Sequence, residues 1–571
     1  MTNLIIPSLS LPIRMTIIWV IIGSTVSPCS GQQDVHMSNV LMVAETQVDS
    51  PAVAVGPNGE MHVVWEDRNQ GQDIFYRRSL DYGASLQAPV RLSSADGVPG
   101  GAPRITADRE GHVYVRWLDV HPGSVLSIQF TSSSNSGLTW LQPELQLSHD
   151  DSRDSTTYAM GVDDGGIVYV AYRDAIFEPT FEFGTWFRRS TDAGLTFSPP
   201  ASVESEGAWS GPQHIVADGT GSVYLATIRS RSVPDGYYVQ RSLDFGEAWS
   251  TAVTVDPSQV IGPSRRLGCS VGGVVYAVWA DSRNGFDDVY FARSIDYGQT
   301  FEPSARLDSG TAPGTADSTR VAMANDSAGN VYVTWMEWDD PRIRVSHDFG
   351  ATWSVESSLT VPGITGFEGA QIAANESGHV AVLWQSLEPG SSGLRLNRSR
   401  DFGATWSLPP IRVDSPGDHP QGHAIDMDSS GRAFAAWLEE IDIDDLLYHH
   451  AYARGIFPTL AMSAVPRDDG DGLVVIPPEG DRLNIPITLQ NHHPTDPLTA
   501  LSAWLEVVLP DGRTIGPIVG PKTLANFPAG ASRRATFRGR FPARMAAGLY
   551  FFTVRTNGPI EDRVQVPILK R

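Results

Sequence analysis

Aligned on one repeating unit, the chain places Ala52, Arg104, Ala159, His214, Arg266, Ala322, Gln371 and Ala424 at equivalent positions, each at the mouth of a strand. Half of these are small and half polar, and Arg104, His214, Arg266 and Gln371 can converge on a common centre. Arg320, two residues before Ala322, reaches the same region, and Arg265 adjoins Arg266. A guanidinium presents paired N–H donors that match the two oxygens of a carboxylate. An anionic ligand is one reading of this set; the other is that these arginines neutralise nearby acidic loops. Those loops carry Glu66, Asp67 and Asp73, then Asp281, Asp287 and Asp288, then Glu337, Asp339 and Asp340, and finally Glu439, Glu440, Asp442, Asp444 and Asp445. Oxygen-rich loops suit Ca²⁺, but no stretch follows EF-hand order, and solvated turn residues are the competing reading. His419, His423, His449 and His450 lack the spacing of a metal site. Nothing in the set requires a cofactor.

The elements that position these residues come from a repeat. Seven segments share the form Ser-x-Asp-x-Gly-x-Thr-Trp, beginning at Ser79, Ser133, Ser190, Ser242, Ser294, Ser346 and Ser399. The acidic position falls at Asp81, Asn135, Asp192, Asp244, Asp296, Asp348 and Asp401, in steps of 54, 57, 52, 52, 52 and 53 residues. That period suits a four-stranded unit. Upstream of most copies an apolar strand ends in an aromatic: Trp65, Trp117, Tyr172, Trp279, Trp335, Trp384 and Trp437, with Thr227 in the fourth unit. Its alternation reads as a half-buried strand. Turns such as GPNGE from Gly56 precede it, and strands such as DVYFARS from Asp288 follow it. An Asp or Asn side chain fixes such a turn by accepting backbone N–H groups, and Gly tolerates positive φ. One reactive group is not needed seven times, so these seven acidic positions are read as structural.

This pattern resembles the Asp-box, or bacterial neuraminidase repeat, of sialidase-like propellers, over roughly residues 40–455. The resemblance implies an all-β, eight-bladed β-propeller. The eighth unit, through AFAAW to Trp437, lacks a box and a fourth strand, and LMVAETQVDSP near the N-terminus resembles IRVDSP from Ile411. The N-terminal strand is therefore expected to complete the last blade, since closure removes exposed edges. In such a meander the boxes lie on one face, and ligands meet the other.

A sialidase of this family also carries an arginine triad, a Tyr nucleophile paired with Glu, an Asp acid/base, and an Arg-Ile-Pro segment. The chain departs from that pattern. Its nearest segment is PRIT from Pro103, and eight units replace the usual six. Tyr448 and Tyr452 stand late in the ring without a motif that marks them as nucleophiles. Catalytic residues are thus not carried over. The leading expectation is binding of a glycan or protein ligand. Exo-sialidase activity through Arg104, Arg266 and Arg320 is an alternative, and a structural cell-surface role is another.

Arg14 precedes an apolar run from Met15 to Ile22 and small residues to Gly31, the pattern of a signal peptide over 1–31. Cys29 as a lipidation site is the competing reading, with Pro28 a poor fit to it. A secreted, periplasmic or cell-surface protein without a transmembrane anchor in the mature chain is expected. Cys29 and Cys269 are the only two cysteines, so the mature chain has no internal disulfide, and Cys269 reads as a buried filler. The net charge of −23 excludes a nucleic-acid footprint and favours a soluble monomer. Beyond the repeat, residues 456–571 alternate strands with Gly and Pro turns and suit an immunoglobulin-like β-sandwich.

Overall fold

The computed structural model describes residues 35–458, except 45–46, 122–124, 149–153, 164, 177–181, 204–208, 231–235, 257–263, 309, 367–368, 389–390, 416–419 and 444–445. Beyond these it describes the backbone of strands between 460 and 570. The proposed export segment, with Cys29, lies outside the described residues.

Residues 48–458 form an eight-bladed all-β propeller. Each blade is a separate antiparallel sheet whose strands follow one another in chain order. The innermost strands are Val48–Val55, Gly100–Ala107, Asp154–Val162, Trp209–Ala217, Arg265–Ser270, Ser318–Asn325, Gln371–Ala374 and Pro420–Met427. In the seventh blade a short segment, Thr365–Gly366, pairs with the same neighbour as Gln371–Ala374. The outermost strands of most blades are two-residue pieces such as Val90–Arg91 and Ala305–Arg306. In the eighth blade Leu446–Pro458 is flanked by Leu41–Ala44, with Leu41 opposite Ala453 and Met42 opposite Tyr452.

The second strand of each blade is buried more deeply than its alternation predicts. In Met61–Asp67 and Val331–Glu337 every residue is buried. The reason is geometric: each sheet packs a neighbour on both faces, so no face of an inner strand meets water. The apolar clusters accordingly straddle adjacent blades. One joins Tyr276, Val278 and Phe291 of the fifth blade to Val331, Val333 and Trp335 of the sixth. Another joins Val48, Val53 and Trp65 of the first blade to Phe434, Ala436 and Leu438 of the eighth, with Val43 of the preceding strand. Trp117, Trp335, Trp384 and Trp437 are fully buried.

The seven Ser-x-Asp turns share one geometry. In the fifth blade the Ser294 hydroxyl donates to Asp296 Oδ1 (2.7 Å) and accepts the Gly298 N–H (2.8 Å), while Asp296 Oδ1 also accepts the Thr300 N–H (2.9 Å). Asn135 does the same with its amide oxygen. Two successive residues have positive φ, Tyr297 at 59° and Gly298 at 72°, where sequence reasoning expected only the glycine. The ring that ends a turn packs onto the preceding blade: Trp353 meets Phe291 edge-on at 4.8 Å.

Beyond the propeller, strands from Leu460 to Lys570 form a three-stranded sheet and a five-stranded sheet. Among the described residues no helix is long and apolar enough to cross a membrane.

Candidate functional site

The antiparallel registers place two faces. At one face the inner strand begins where the second strand ends, as Ser318 pairs with Glu337. At the other face the second strand begins beside the Ser-x-Asp turn, as Val331 pairs with Ser346. A pocket of about 410 Å³ opens on the first face, lined from four consecutive blades. Ser264 and Arg266 enter from the fifth, Arg320 from the sixth, Gln371 from the seventh, and Gly422 with His423 from the eighth.

The inner strands are bent where they reach this mouth. Register shifts occur between Asp49 and Ala52, Gly101 and Arg104, Pro212 and His214, Thr319 and Ala322, and Gln421 and His423. A β-bulge re-aims the side chain it carries. Arg320 is the bulged residue of its strand, with φ at 57°, and its N–H donates to Ser264 Oγ at 3.1 Å. Gly369 leaves the room Arg320 needs, because a Cβ there would stand 2.8 Å from the Arg320 Cβ.

Three of the five residues singled out from sequence, Arg266, Arg320 and Gln371, share the pocket. His214 does not line it. Its Nε2 lies 3.1 Å from the Arg265 carbonyl oxygen, behind Arg266. Burial and then the Arg266 charge hold His214 near 4, so the ring is neutral at ordinary pH. Arg104 stands apart from the pocket, in the second blade, and donates to the Pro103 carbonyl at 2.9 Å. Directly across from it in register is Arg116, whose guanidinium stacks 4.0 Å from the centre of the Tyr158 ring. Burial pulls the Arg116 guanidinium down to about 10, and its Nε and Nη1 atoms make no hydrogen bond.

His423 is a pocket residue that the repeat alignment does not single out. Ala424 holds the aligned register, opposite Ala436 as Arg266 is opposite Val278, and the bulge at Gly422, with φ at 43°, adds His423 to the lining. Burial lowers the His423 ring to about 4, against the opposing influence of the Leu383 and Gly369 backbone. The Gly in the segment QGH is the signal for such a bulge.

Several acidic loop residues pair with arginines away from the mouth. Asp73 pairs with Arg91 at 2.6 Å, Asp308 with Arg306 at 2.7 Å, and Asp340 with Arg342 at 2.9 Å. Asp281 holds Arg283, and Glu66 holds Arg68. Arg266 Nη1 donates to its own neighbour's carbonyl, Arg265 O, at 2.7 Å. No carboxylate lines the pocket among the described residues. Burial depresses the Arg266 guanidinium, and the Tyr237 hydroxyl opposes that fall.

Two tyrosine and metal expectations also find their places. Tyr452 stacks on Trp437 in the core, with ring centres 6.2 Å apart. The Tyr448 side chain and His419 lie outside the described residues. Among the described residues, no group of three or more His, Cys, Asp or Glu side chains is gathered as a metal ion requires. Cys269 is an unpaired thiol that burial pushes far above its ordinary range.

These features define an eight-bladed propeller with an arginine-lined pocket at the mouth of its ring. Neither family models nor curated proteins match the chain. Solved structures do. The Hadza microbial sialidase Hz136 is 17% identical with a TM-score of 0.34, over 52% of this chain and 66% of its own. A PL25 ulvan lyase is 12% identical with a TM-score of 0.40, over 72% of this chain and 95% of its own. The NanB sialidase of Streptococcus pneumoniae is 11% identical with a TM-score of 0.36, over 70% and 84%. At these values the likeness assigns no chemistry.

Proposed function

We propose that this chain is an exported, sialidase-like binding protein whose propeller holds a carboxylate-bearing glycan at the Arg266–Arg320 pocket. The observation that carries the reading is one of charge. A protein of net charge −23 brings two arginines to a single concave site whose described lining holds no carboxylate. Arg266 and Arg320 supply the N–H donors, Gln371 supplies a neutral amide, and Ser264 anchors the Arg320 backbone. His423 is neutral above its depressed pKa and offers a ring nitrogen without adding charge. The site asks for no cofactor.

The remaining organisation follows the sequence reading. Residues 1–31 direct export, 40–455 form the Asp-box propeller, and 456–571 form an immunoglobulin-like sandwich. The strand Leu41–Ala44 closes the ring by completing the eighth blade, a reading supported by its pairing with Leu446–Pro458.

Hydrolysis is not the favoured reading. Arg104 stands outside the pocket, and no tyrosine, glutamate or aspartate lines it among the described residues. A fluorogenic sialoside is therefore expected to remain intact. Calorimetric titration with N-acetylneuraminate and glucuronate tests the binding itself. Arg266→Ala is expected to weaken binding by about tenfold or more, the worth of one charge-assisted hydrogen bond. Saturable binding that survives both Arg266→Ala and Arg320→Ala, or its absence in the unaltered protein, sinks the proposal.

A further inference from the structure

The face that carries the pocket also carries a pair of aromatic rings that the core does not use. Phe286 is 51% exposed and Trp338 is 55% exposed, and their ring centres lie 5.1 Å apart at an interplanar angle of 68°. Each belongs to the loop between the second and third strands of its blade, so both are on the face that carries the pocket. Two large exposed rings in contact on one face are unusual for a soluble surface and point to a partner.

The backbone shows that this placement is held at a cost. Trp338 and Asp339 form a two-residue turn between Glu337 and Asp340, and Trp338 has φ at 51°. Hairpin turns fill such positions with Asn, Asp or Gly, because other side chains clash there. A tryptophan in this conformation stores strain that the fold tolerates, and strain of this kind clusters at functional sites. The partner loop is equally constrained. Phe286 N–H donates to the Gly314 carbonyl at 3.2 Å, and a Cβ on Gly314 would fall 2.0 Å from the Asn284 carbonyl oxygen. Trp338 N–H donates to the Asp317 carbonyl at 2.9 Å, and Ser318 N–H donates to the Asp287 carbonyl at 2.7 Å.

Those same backbone bonds tie two aspartates into the loops that carry the rings. Asp287 follows Phe286 in the chain, and Asp317 is tied to Trp338. Burial and then the Asp317 charge raise the Asp287 carboxyl above its ordinary range, so the two acids sense each other. Neither has a salt bridge to an arginine or lysine among the described residues. Asp317 immediately precedes the inner strand Ser318–Asn325, which carries Arg320.

An apolar ring platform with adjoining hydrogen-bond acceptors matches one chemistry. The C–H face of a pyranose stacks on an aromatic ring while its hydroxyls donate to carboxylates. Because the acceptors are anionic, a negatively charged sugar is disfavoured here. We infer that Phe286 and Trp338, with Asp287 and Asp317, form a subsite for a neutral pyranose on the face of the arginine pocket. The inference deepens the proposed function and rests on it for the acidic unit alone. The ligand is then a glycan whose carboxylated residue sits against Arg266 and Arg320 and whose neutral neighbour stacks on Trp338.

Titration of the full chain with N-acetylneuraminate and with 3′-sialyllactose, alongside a glycan array, tests this. Trp338→Ala and Phe286→Ala are each expected to weaken the oligosaccharide at least tenfold and to leave the free acidic sugar within twofold. Trp338→Asn is expected to raise the melting temperature while losing the same binding, which separates lost contact from lost fold. Oligosaccharide affinity within twofold of the unaltered protein in both ring variants overturns the platform and leaves the pocket standing. If array binding depends on Trp338 but no acidic monosaccharide binds, the pocket reading falls and the platform stands. Silence toward every arrayed glycan removes both.

Discussion

At the scale of single residues, the mouth of the ring is organised by backbone exceptions more than by side-chain type. Arg320 enters the pocket from a bulge at positive φ, and His423 is brought in by Gly422. Gly369 shows how close the packing is. Gly369→Ala puts a Cβ 2.8 Å from that of Arg320, which must then shift. The expected result, read by calorimetry, is weaker binding of the carboxylated sugar although no donor has been removed. The two half-buried histidines near the pocket set a pH dependence. His214 and His423 are both lowered to about 4 from an ordinary 6.5. A group depressed on folding favours its neutral form in the native state. Its contribution is present in full above 6.5 and is lost as pH falls toward 4. His214→Gln is therefore expected to flatten that arm of a curve of denaturation midpoint against pH, measured from pH 7 to 4.

At the scale of elements, the Ser-x-Asp turn is a hydrogen-bond device in which the charge is secondary. Asn135 occupies the acidic position of the second turn and accepts the same backbone N–H, from Thr139, at 2.9 Å. Asp296→Asn is thus expected to change stability by no more than about 0.5 kcal/mol, whereas Asp296→Ala, which orphans the Thr300 N–H, costs about 1 kcal/mol. Urea denaturation of the two variants side by side checks the difference. The Asp296 carboxyl lies below its ordinary range because the Thr300 and Ser294 bonds outweigh the effect of burial. For a carboxyl lowered on folding, the stabilisation is present above about pH 4 and is lost as pH falls through the native value. Removal of the carboxylate in Asp296→Asn should accordingly reduce acid sensitivity.

At the scale of the whole molecule, stability resides between blades. The Trp335 ring is fully buried in a cluster shared by the fifth and sixth blades, and Trp335→Ala is expected to cost about 3–5 kcal/mol in chemical denaturation. The junction of first and eighth blades is distinctive because it includes Val43, from a strand that pairs with the end of the propeller. Removing residues 35–44 leaves the outer edge of Leu446–Pro458 unpaired and uncovers that cluster. A fall in melting temperature together with concentration-dependent association is expected, since a bare strand edge invites pairing with another chain. An unchanged melting temperature and a monomeric elution profile would count against closure by this strand.

The sequence by itself determined the repeat and hence the blades. Ser, Asp and Gly at fixed offsets are a local hydrogen-bonding pattern that works in any context, so seven copies announce seven turns, and the Trp65 and Trp335 class of residues marks the strands between. It also separated Arg266, Arg320 and Gln371 from the background of acidic loops. What it could not supply was the side of a residue that a bulge turns inward. Ala424 keeps the register of Arg266 and Gln371, yet the bulge before it adds His423 to the pocket lining, and Arg104 holds that same register in a blade three places away from that of Arg266. The pairing of Phe286 with Trp338 is equally illegible, because the two belong to different blades and only the packing of adjacent blades brings their loops together. Local chemistry is written residue by residue, whereas convergence from four blades depends on distances that exist only once the ring has formed.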